Sequence, residues 1–287
     1  MASPPDAVRV LTAPKARPLV GVIHLPPLLG PDALSSPALF DRVESDARAY
    51  KAAGFDAVIV ENYGDAPFSK SASPPHVAAV MTMCVERAVR ATGIPVGVNV
   101  LRNDGLAALG VSHAAGGSFI RVNVHMHATV TDSGLIEGIA HDVVAYRRQL
   151  GRERGPDKIL ILADVDVKHG TALAKRPLEE IAEETVHRGK ADVLLVTGSG
   201  TGKPIDTADL ERCLRGAPGA PVWAASGVSE HNVEELMHVA GGAIVGTAAK
   251  EGGSVKAPVD LERARRIVRA AGKGVERPEP ISGMLRR

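Results

Sequence analysis

The chain is poor in aromatic residues and cysteine, carries almost no net charge and has no long apolar run. Its 287 residues have a formal net charge of +1, and no basic stripe is interleaved with aromatic residues. This argues against nucleic acid as a partner. No apolar run approaches the roughly 18 residues of a membrane span, and residues 1–17 lack the apolar segment of a secretory signal. We therefore expect a cytoplasmic protein without an integral membrane segment.

The two cysteines, Cys84 and Cys213, each fall within a helix-like segment. Two isolated thiols are typical of a reducing compartment, and this interpretation is favoured over a disulfide or a cysteine metal site.

Strand and helix signals alternate from end to end. Strands are predicted at residues 19–25, 57–61, 96–101, 119–125, 158–167, 191–196, 221–225 and 242–245. Helices are predicted at residues 36–53, 76–91, 104–114, 138–150, 177–189, 207–215, 232–239 and 258–271. Residues 126–136 are predicted to be a long loop.

Strict alternation predicts a parallel sheet with helical crossovers. Eight such units favour one α/β domain, a (β/α)8 TIM barrel over residues 18–272, with tails at residues 1–17 and 273–287. The alternative is a pair of Rossmann-like domains, but no G-x-G-x-x-G motif follows the first strand.

Five successive predicted strands end in polar residues that interrupt apolar runs. Because chemistry in such barrels gathers at the carboxyl ends of the strands, we interpret these residues as one site. A histidine buried in the core, a structural ion pair or a loop-capping aspartate would explain any one of them alone. The predicted catalytic residues, for proton transfer and charge stabilisation, are Glu61, Asp164, Asp166, Lys168 and His24. The predicted substrate-binding residues are Asn99, Arg121, Asn123, His125 and Asp65.

Metal ligands are offered by the pairs His125-x-His127 and Asp164-x-Asp166. We expect no required metal or cofactor, and a divalent ion such as Mg²⁺ or Zn²⁺ stays open as the alternative.

The last three predicted strands each run into a turn of small residues. Backbone N–H groups at such turns bind anions, and barrels of this type hold phosphate after their seventh and eighth strands. Glycines at these places also serve backbone geometry alone. The predicted phosphate-binding residues are Ser199, Gly200, Thr201, Ser226, Gly227, Gly246 and Thr247.

With these residues in view, the chain resembles the BtpA/SgcQ family. The matching segments are residues 21–28 (GVIHLPPL), 60–68 (VENYGDAPF), 97–104 (GVNVLRND), 119–124 (FIRVNV), 131–138 (TDSGLIEG) and 163–169 (ADVDVKH), together with the glycine turns. The resemblance implies a TIM-type barrel of the phosphate-binding kind. One departure is His127, which stands where a smaller residue is expected.

The leading hypothesis is an enzyme that acts on a small phosphorylated sugar or nucleotide-like substrate. Isomerisation, lyase chemistry and glycosyl transfer all fit, because each requires proton transfer beside an anchored phosphate. The alternatives are an accessory or assembly factor of the BtpA type that binds a partner protein, and a regulatory module that senses a sugar phosphate without turnover. We also expect the chain to form a homo-oligomer.

Overall fold

The computed structural model describes residues 6–13, 15–70, 72–167, 170–198 and 205–273. The helices are α1 (Ala7–Thr12), α2 (Ser36–Ala53), α3 (Pro75–Thr92), α4 (Gly105–Ala115), α5 (Ala140–Gln149), α6 (Leu178–His187), α7 (Thr207–Gly216), α8 (Val233–Val239) and α9 (Leu261–Ala270). The strands are β1 (Leu19–His24), β2 (Ala57–Glu61), β3 (Val96–Asn99), β4 (Phe119–Val122), β5 (Ala128–Thr131), β6 (Gly134–Glu137), β7 (Leu160–Asp166), β8 (Gly170–Ala172), β9 (Val193–Val196), β10 (Val222–Ala224) and β11 (Ala243–Val245).

Eight strands close into a parallel barrel in the order β1-β2-β3-β4-β7-β9-β10-β11, with β11 pairing back onto β1. The predicted TIM barrel is therefore confirmed. Successive side chains on a strand point to opposite faces, so each strand contributes to two apolar layers. The outer layer packs against the helices. The inner layer fills the lower lumen with residues that include Val20, Ile59, Phe119 and Trp223.

Helix α1 lies in the segment that the sequence analysis treated as a tail. Asp6 caps the helix, because its Oδ1 accepts a hydrogen bond from the Arg9 backbone nitrogen at 3.0 Å. Ala7 and Leu11 are buried and join the lumen cluster. A six-residue helix carries too few repeats for its periodicity to stand out in the sequence, so the prediction missed it.

The predicted loop 126–136 contains β-structure. Strands β5 and β6 form an antiparallel hairpin, and β8 pairs with the other edge of β5 to give a three-stranded sheet. Ile136 faces inward and forms a small core with Val124 and Val167. Strands of three or four residues give too little alternation to predict, which explains why the loop interpretation was wrong here.

Strand β4 ends at Val122, three residues before the predicted end of the fourth strand. The chain bends at residues 123 and 124 on its way to the small sheet. Among the described helices, none combines the length and apolar character needed to cross a bilayer.

Candidate active site

Five polar side chains stand above the apolar lumen at the carboxyl ends of neighbouring strands, and we call them the polar layer: His24, Glu61, Asn99, Arg121 and Asp164. Pairing in register places His24 beside Glu61, and Glu61 beside Asn99. Each lies two residues beyond a strand residue that faces the lumen, which is why alternation along the strands predicted their common side.

Arg121 and Asp164 form a two-pronged ion pair. Arg121 Nε lies 2.9 Å from Asp164 Oδ1, and Arg121 Nη2 lies 3.0 Å from Asp164 Oδ2. Asn123 Nδ2 donates a third hydrogen bond to the same carboxylate, at 3.1 Å. Burial lowers the pKa of Arg121, but the charge of Asp164, its hydrogen bonds and the charge of Glu61 outweigh that effect and raise the pKa overall. Asp164 is thereby committed to holding Arg121 in one orientation.

The same carboxylate fixes the orientation of two amides. Because Asn123 donates to Asp164 through Nδ2, its Oδ1 must accept, and Asn99 Nδ2 donates to it at 3.0 Å. Asn99 Nδ2 also lies 3.2 Å from the Arg121 carbonyl oxygen. Asn99 Oδ1 is then left as a buried acceptor without a hydrogen-bond partner among the described residues.

Glu61 has different surroundings from Asp164. Glu61 is 7% exposed, and no described residue donates a hydrogen bond to its carboxylate. Among the described residues, the ionisable group that lies within 4 Å of its carboxylate is His24, whose Nε2 lies 3.8 Å from Glu61 Oε1. The Tyr63 ring meets the His24 ring edge-on, with centroids 5.2 Å apart. A carboxylate to which no described residue donates a hydrogen bond is a candidate general base on geometric grounds.

A cavity of about 280 Å³ connects the polar layer to the loops after β10 and β11. One wall carries His24, Glu61, Tyr63 and Arg121. A second wall consists of the β10 loop, residues 225–232, and the β11 loop, residues 246–253. The predicted phosphate-binding residues that line this wall are Ser226, Gly227, Gly246 and Thr247.

The backbone of both loops requires small residues. Gly227 has a φ of 65°, in the left-handed region that favours glycine. A Cβ atom on Gly246 would lie 3.0 Å from His24 Cε1, so glycine permits the histidine ring to sit against this loop. Thr247 begins a short 3₁₀ helix that no side chain caps. An uncapped start of this kind leaves backbone N–H groups for an anion.

Each loop is anchored by a buried or half-buried side chain behind it. In the β10 loop, Asn232 Nδ2 donates to the Gly227 carbonyl oxygen at 2.9 Å, and Asn232 Oδ1 accepts from the Ser229 nitrogen at 2.8 Å. In the β11 loop, Lys250 is fully buried and its Nζ lies 3.4 Å from Asp46 Oδ2 on α2. Burial lowers the pKa of Lys250, and the charge of Asp46 opposes that shift.

Six of the described predicted site residues do not line this cavity: Asn99, Asn123 and Asp164, which form the hydrogen-bond network around Arg121, and Asp65, His125 and Asp166. Asp65 stabilises a loop, since its Oδ1 accepts from the Leu28 nitrogen at 2.8 Å, and it lines a separate cavity of about 620 Å³. His125 is buried, with Nε2 2.7 Å from the Gly189 carbonyl oxygen. Burial, only partly opposed by this hydrogen bond, lowers the pKa of His125, so its neutral ring donates to that oxygen. The bend after Val122 turns His125 away from the polar layer.

Asp166 ends β7 with an exposed side chain. Partial desolvation, followed by the charges of Asp209 and Asp164, nevertheless raises the pKa of the Asp166 carboxyl group. The remaining predicted site residues, Lys168, Ser199, Gly200 and Thr201, lie outside the described residues.

Within the described ranges, no three His, Cys, Asp or Glu side chains are grouped so as to hold a metal ion. His125 and His127 have separate partners, because His125 Nε2 is bonded to the Gly189 carbonyl oxygen and His127 Nε2 lies 3.2 Å from Glu184 Oε2. His127 has a φ of 63°, which accounts for the smaller residue expected at this position.

Two residues of the site were not singled out from the sequence. Tyr63 lies within the matching segment 60–68, directly after a strand-end residue. Asn232 follows Ser229 by three residues at the start of a helix, a spacing typical of side chains that bond to nearby backbone.

Comparisons with known sequences agree on one family. The sequence profile of the BtpA family matches residues 15–273. A Synechocystis protein named photosystem I biogenesis protein BtpA is 39% identical, with the match covering 90% of this chain and 89% of that protein. An uncharacterised protein of Pyrococcus furiosus is 42% identical over 88% of this chain and 94% of its own.

Solved structures share the barrel at low sequence identity. The N-(5′-phosphoribosyl)anthranilate isomerase of Pyrococcus furiosus superposes with a TM-score of 0.52 and 17% identity, covering 89% of this chain and 99% of that one. The orotidine 5′-phosphate decarboxylase of Pyrococcus horikoshii gives a TM-score of 0.54 and 15% identity, covering 88% and 99%. At these identities the likeness establishes the fold.

Proposed function

The chain belongs to the BtpA family, and from this premise we propose that it is an enzyme acting on a small phosphorylated substrate, a sugar or a nucleotide-like molecule. The observation that carries the proposal is one cavity with two unlike walls. One wall offers backbone groups and small residues, and the other offers ionisable side chains. Anchoring a substrate on one wall raises the effective concentration of its reacting end at the other.

The phosphate is proposed to bind at the β10 and β11 loops. Gly227 and Gly246 can present only backbone to the cavity, and Thr247 also lines it. Their position after the seventh and eighth barrel strands is where this fold commonly holds phosphate. Ser226, which is buried, adds its side chain to the same wall.

The proposed proton acceptor is Glu61, with His24 as its partner in proton transfer. Glu61 lines the cavity and lacks hydrogen bonds among the described residues, whereas Asp164 is held by Arg121 and Asn123. We therefore propose that Asp164 positions Arg121 and does not itself accept the proton. Asp166 and Lys168 remain candidates for the part of the site nearest β7.

The test compares binding with turnover. Wild-type protein is screened with phosphorylated sugars and nucleotides, with melting temperature reporting binding and NMR reporting conversion. Glu61→Gln keeps the shape of the side chain and removes the base, so we expect binding to persist while turnover falls by about 100-fold or more. Glu86→Gln, at a partly exposed position of α3 away from the cavity, is the matched control and retains turnover. Equal turnover in Glu61→Gln and wild type would rule out Glu61 as the base.

A second candidate is a non-catalytic accessory factor that binds a partner protein, as the name of the Synechocystis relative suggests for that protein. It is favoured by the outer face of the small sheet. Val130 and Leu135 are cross-strand partners there and are 47% and 46% exposed. This candidate predicts that a Val130→Lys, Leu135→Lys double variant loses the cellular function while Glu61→Gln keeps it. The opposite pattern supports the enzyme.

A further inference from the structure

We propose that the reaction removes a proton from the carbon next to a carbonyl group, in the open-chain form of a phosphorylated aldose or ketose. Glu61 is the base, and Arg121 is the cation beside the carbonyl oxygen. The inference rests on the proposed function, and it selects one reaction class and one substrate class for the same site.

The first argument is the charge layout of the cavity. Glu61 and Arg121 line the same cavity, and the charge of Glu61 contributes to the raised pKa of Arg121, which places the two charges close enough to interact. When a carboxylate takes a proton from carbon, negative charge moves from the carboxylate to the carbonyl oxygen. A cation beside that oxygen stabilises the charge where it develops.

The second argument is that Arg121 is held before any substrate arrives. Its Nε and Nη2 are bonded to Asp164, which leaves Nη1 outside these bonds. Both partners are buried, with side-chain exposures of 4% and 0%. A guanidinium fixed in this way requires no reorganisation during the reaction, which is the condition for effective electrostatic catalysis.

The third argument is that the charges in the cavity suit this reaction better than they suit glycosyl transfer. Glycosidic cleavage passes through a positively charged, oxocarbenium-like state and usually employs two available carboxyl groups. Here the second carboxylate near Glu61, that of Asp164, is bonded to Arg121 and Asn123 and does not line the cavity, whereas the Arg121 guanidinium does. A buried guanidinium in the cavity opposes positive charge on the sugar and favours negative charge.

The step balances without an outside reactant. Glu61 takes the proton from the α-carbon, the C–H electron pair forms a carbon–carbon double bond, and the carbonyl π electrons move to oxygen as an enolate beside Arg121. Protonated Glu61 then returns the proton to the former carbonyl carbon. A second proton moves from the neighbouring hydroxyl oxygen to the enolate oxygen, and His24, 3.8 Å from Glu61, is placed to carry it. No oxidant, reductant or leaving group takes part.

The experiment is hydrogen exchange in D₂O followed by proton NMR. The probes are dihydroxyacetone phosphate, ribose 5-phosphate, ribulose 5-phosphate, glucose 6-phosphate and fructose 6-phosphate, each incubated with wild type, Glu61→Gln and Glu86→Gln. We expect at least one probe to lose its α-proton signal with wild type and Glu86→Gln. The same exchange should be about 100-fold slower with Glu61→Gln.

Three results would overturn the inference. The first is that probes shift the melting temperature yet none of them shows exchange above the protein-free rate, which leaves the proposed function standing. The second is exchange that is equally fast in Glu61→Gln. The third is the absence of binding by any phosphorylated sugar or nucleotide, which contradicts the proposed function as well.

Discussion

Glu61 and Asp164 are both buried carboxylates of the polar layer, but they have different neighbours and are therefore suited to different roles. Asp164 accepts three hydrogen bonds, two of them from a buried guanidinium. Glu61 has a histidine at 3.8 Å and a cavity in front of it. Residue type alone does not separate the two, and both stood as candidate bases in the sequence. Only the contacts show which carboxylate is bound and which is available.

The bound carboxylate leads to a stability prediction. Asp164→Ala leaves the charge of Arg121 buried without its partner, so we expect the free energy of unfolding to fall by about 3–5 kcal/mol. Urea denaturation measures the loss. The control is Asp157→Ala, since Asp157 is 59% exposed and lies 3.7 Å from Arg152, which is 31% exposed, and such a pair contributes about 0–1 kcal/mol. Equal losses in the two variants would mean that Arg121 does not depend on Asp164.

At the scale of elements, the β10 loop owes its shape to one side chain outside the cavity. Asn232 ties the Gly227 carbonyl oxygen to the Ser229 nitrogen across the turn. These hydrogen bonds hold Gly227 at its positive φ, and Gly227 lines the cavity in that conformation. Asn232 is thus a positioning residue for the proposed phosphate site.

This role predicts a defect in binding and not in chemistry. Asn232→Ala removes both hydrogen bonds, which are worth about 1 kcal/mol each, so we expect KM for a phosphorylated substrate to rise about tenfold with little change in kcat. Asn232→Asp keeps the acceptor for Ser229 and loses the donor to Gly227, and should give an intermediate rise. The neighbouring exposed residue supplies the control, His231→Ala. A fall in kcat with KM unchanged would place Asn232 in the chemistry instead.

Alternation along strands explains how much of the site could be predicted. His24, Glu61 and Arg121 follow lumen-facing apolar residues at a spacing of two, so their common side was readable from the sequence. His125 follows the same alternation but lies beyond the bend that ends β4, and it contacts Gly189. The bend is set by packing of the small sheet through Ile136 and Val167, which local sequence does not encode.

At the scale of the whole molecule, the carboxyl ends of the described barrel strands fall into two groups. Strands β10 and β11 end in glycine turns, and strands β1, β2, β3, β4 and β7 carry the polar layer at their carboxyl ends. Because β11 pairs with β1, the closed sheet places these two groups of strand ends side by side at one end of the barrel. Helix α1 closes the opposite end of the lumen with Ala7 and Leu11. Residues far apart in the chain therefore face one cavity of about 280 Å³.

The central claim is that this cavity holds phosphate on the β10 and β11 loops. The most direct measurement is the stabilisation of wild type, Thr247→Asp and Thr247→Asn by the same phosphorylated sugars. Aspartate at the start of the 3₁₀ helix is compatible with the fold, but it places a negative charge where the phosphate is proposed to bind, while asparagine has the same shape without the charge.

For wild type and Thr247→Asn, a ligand at 100 times its Kd should add about 2.7 kcal/mol to the free energy of unfolding. Thr247→Asp should show almost none of this gain. Equal stabilisation of all three proteins, or no stabilisation of wild type by any phosphorylated compound, would contradict the account.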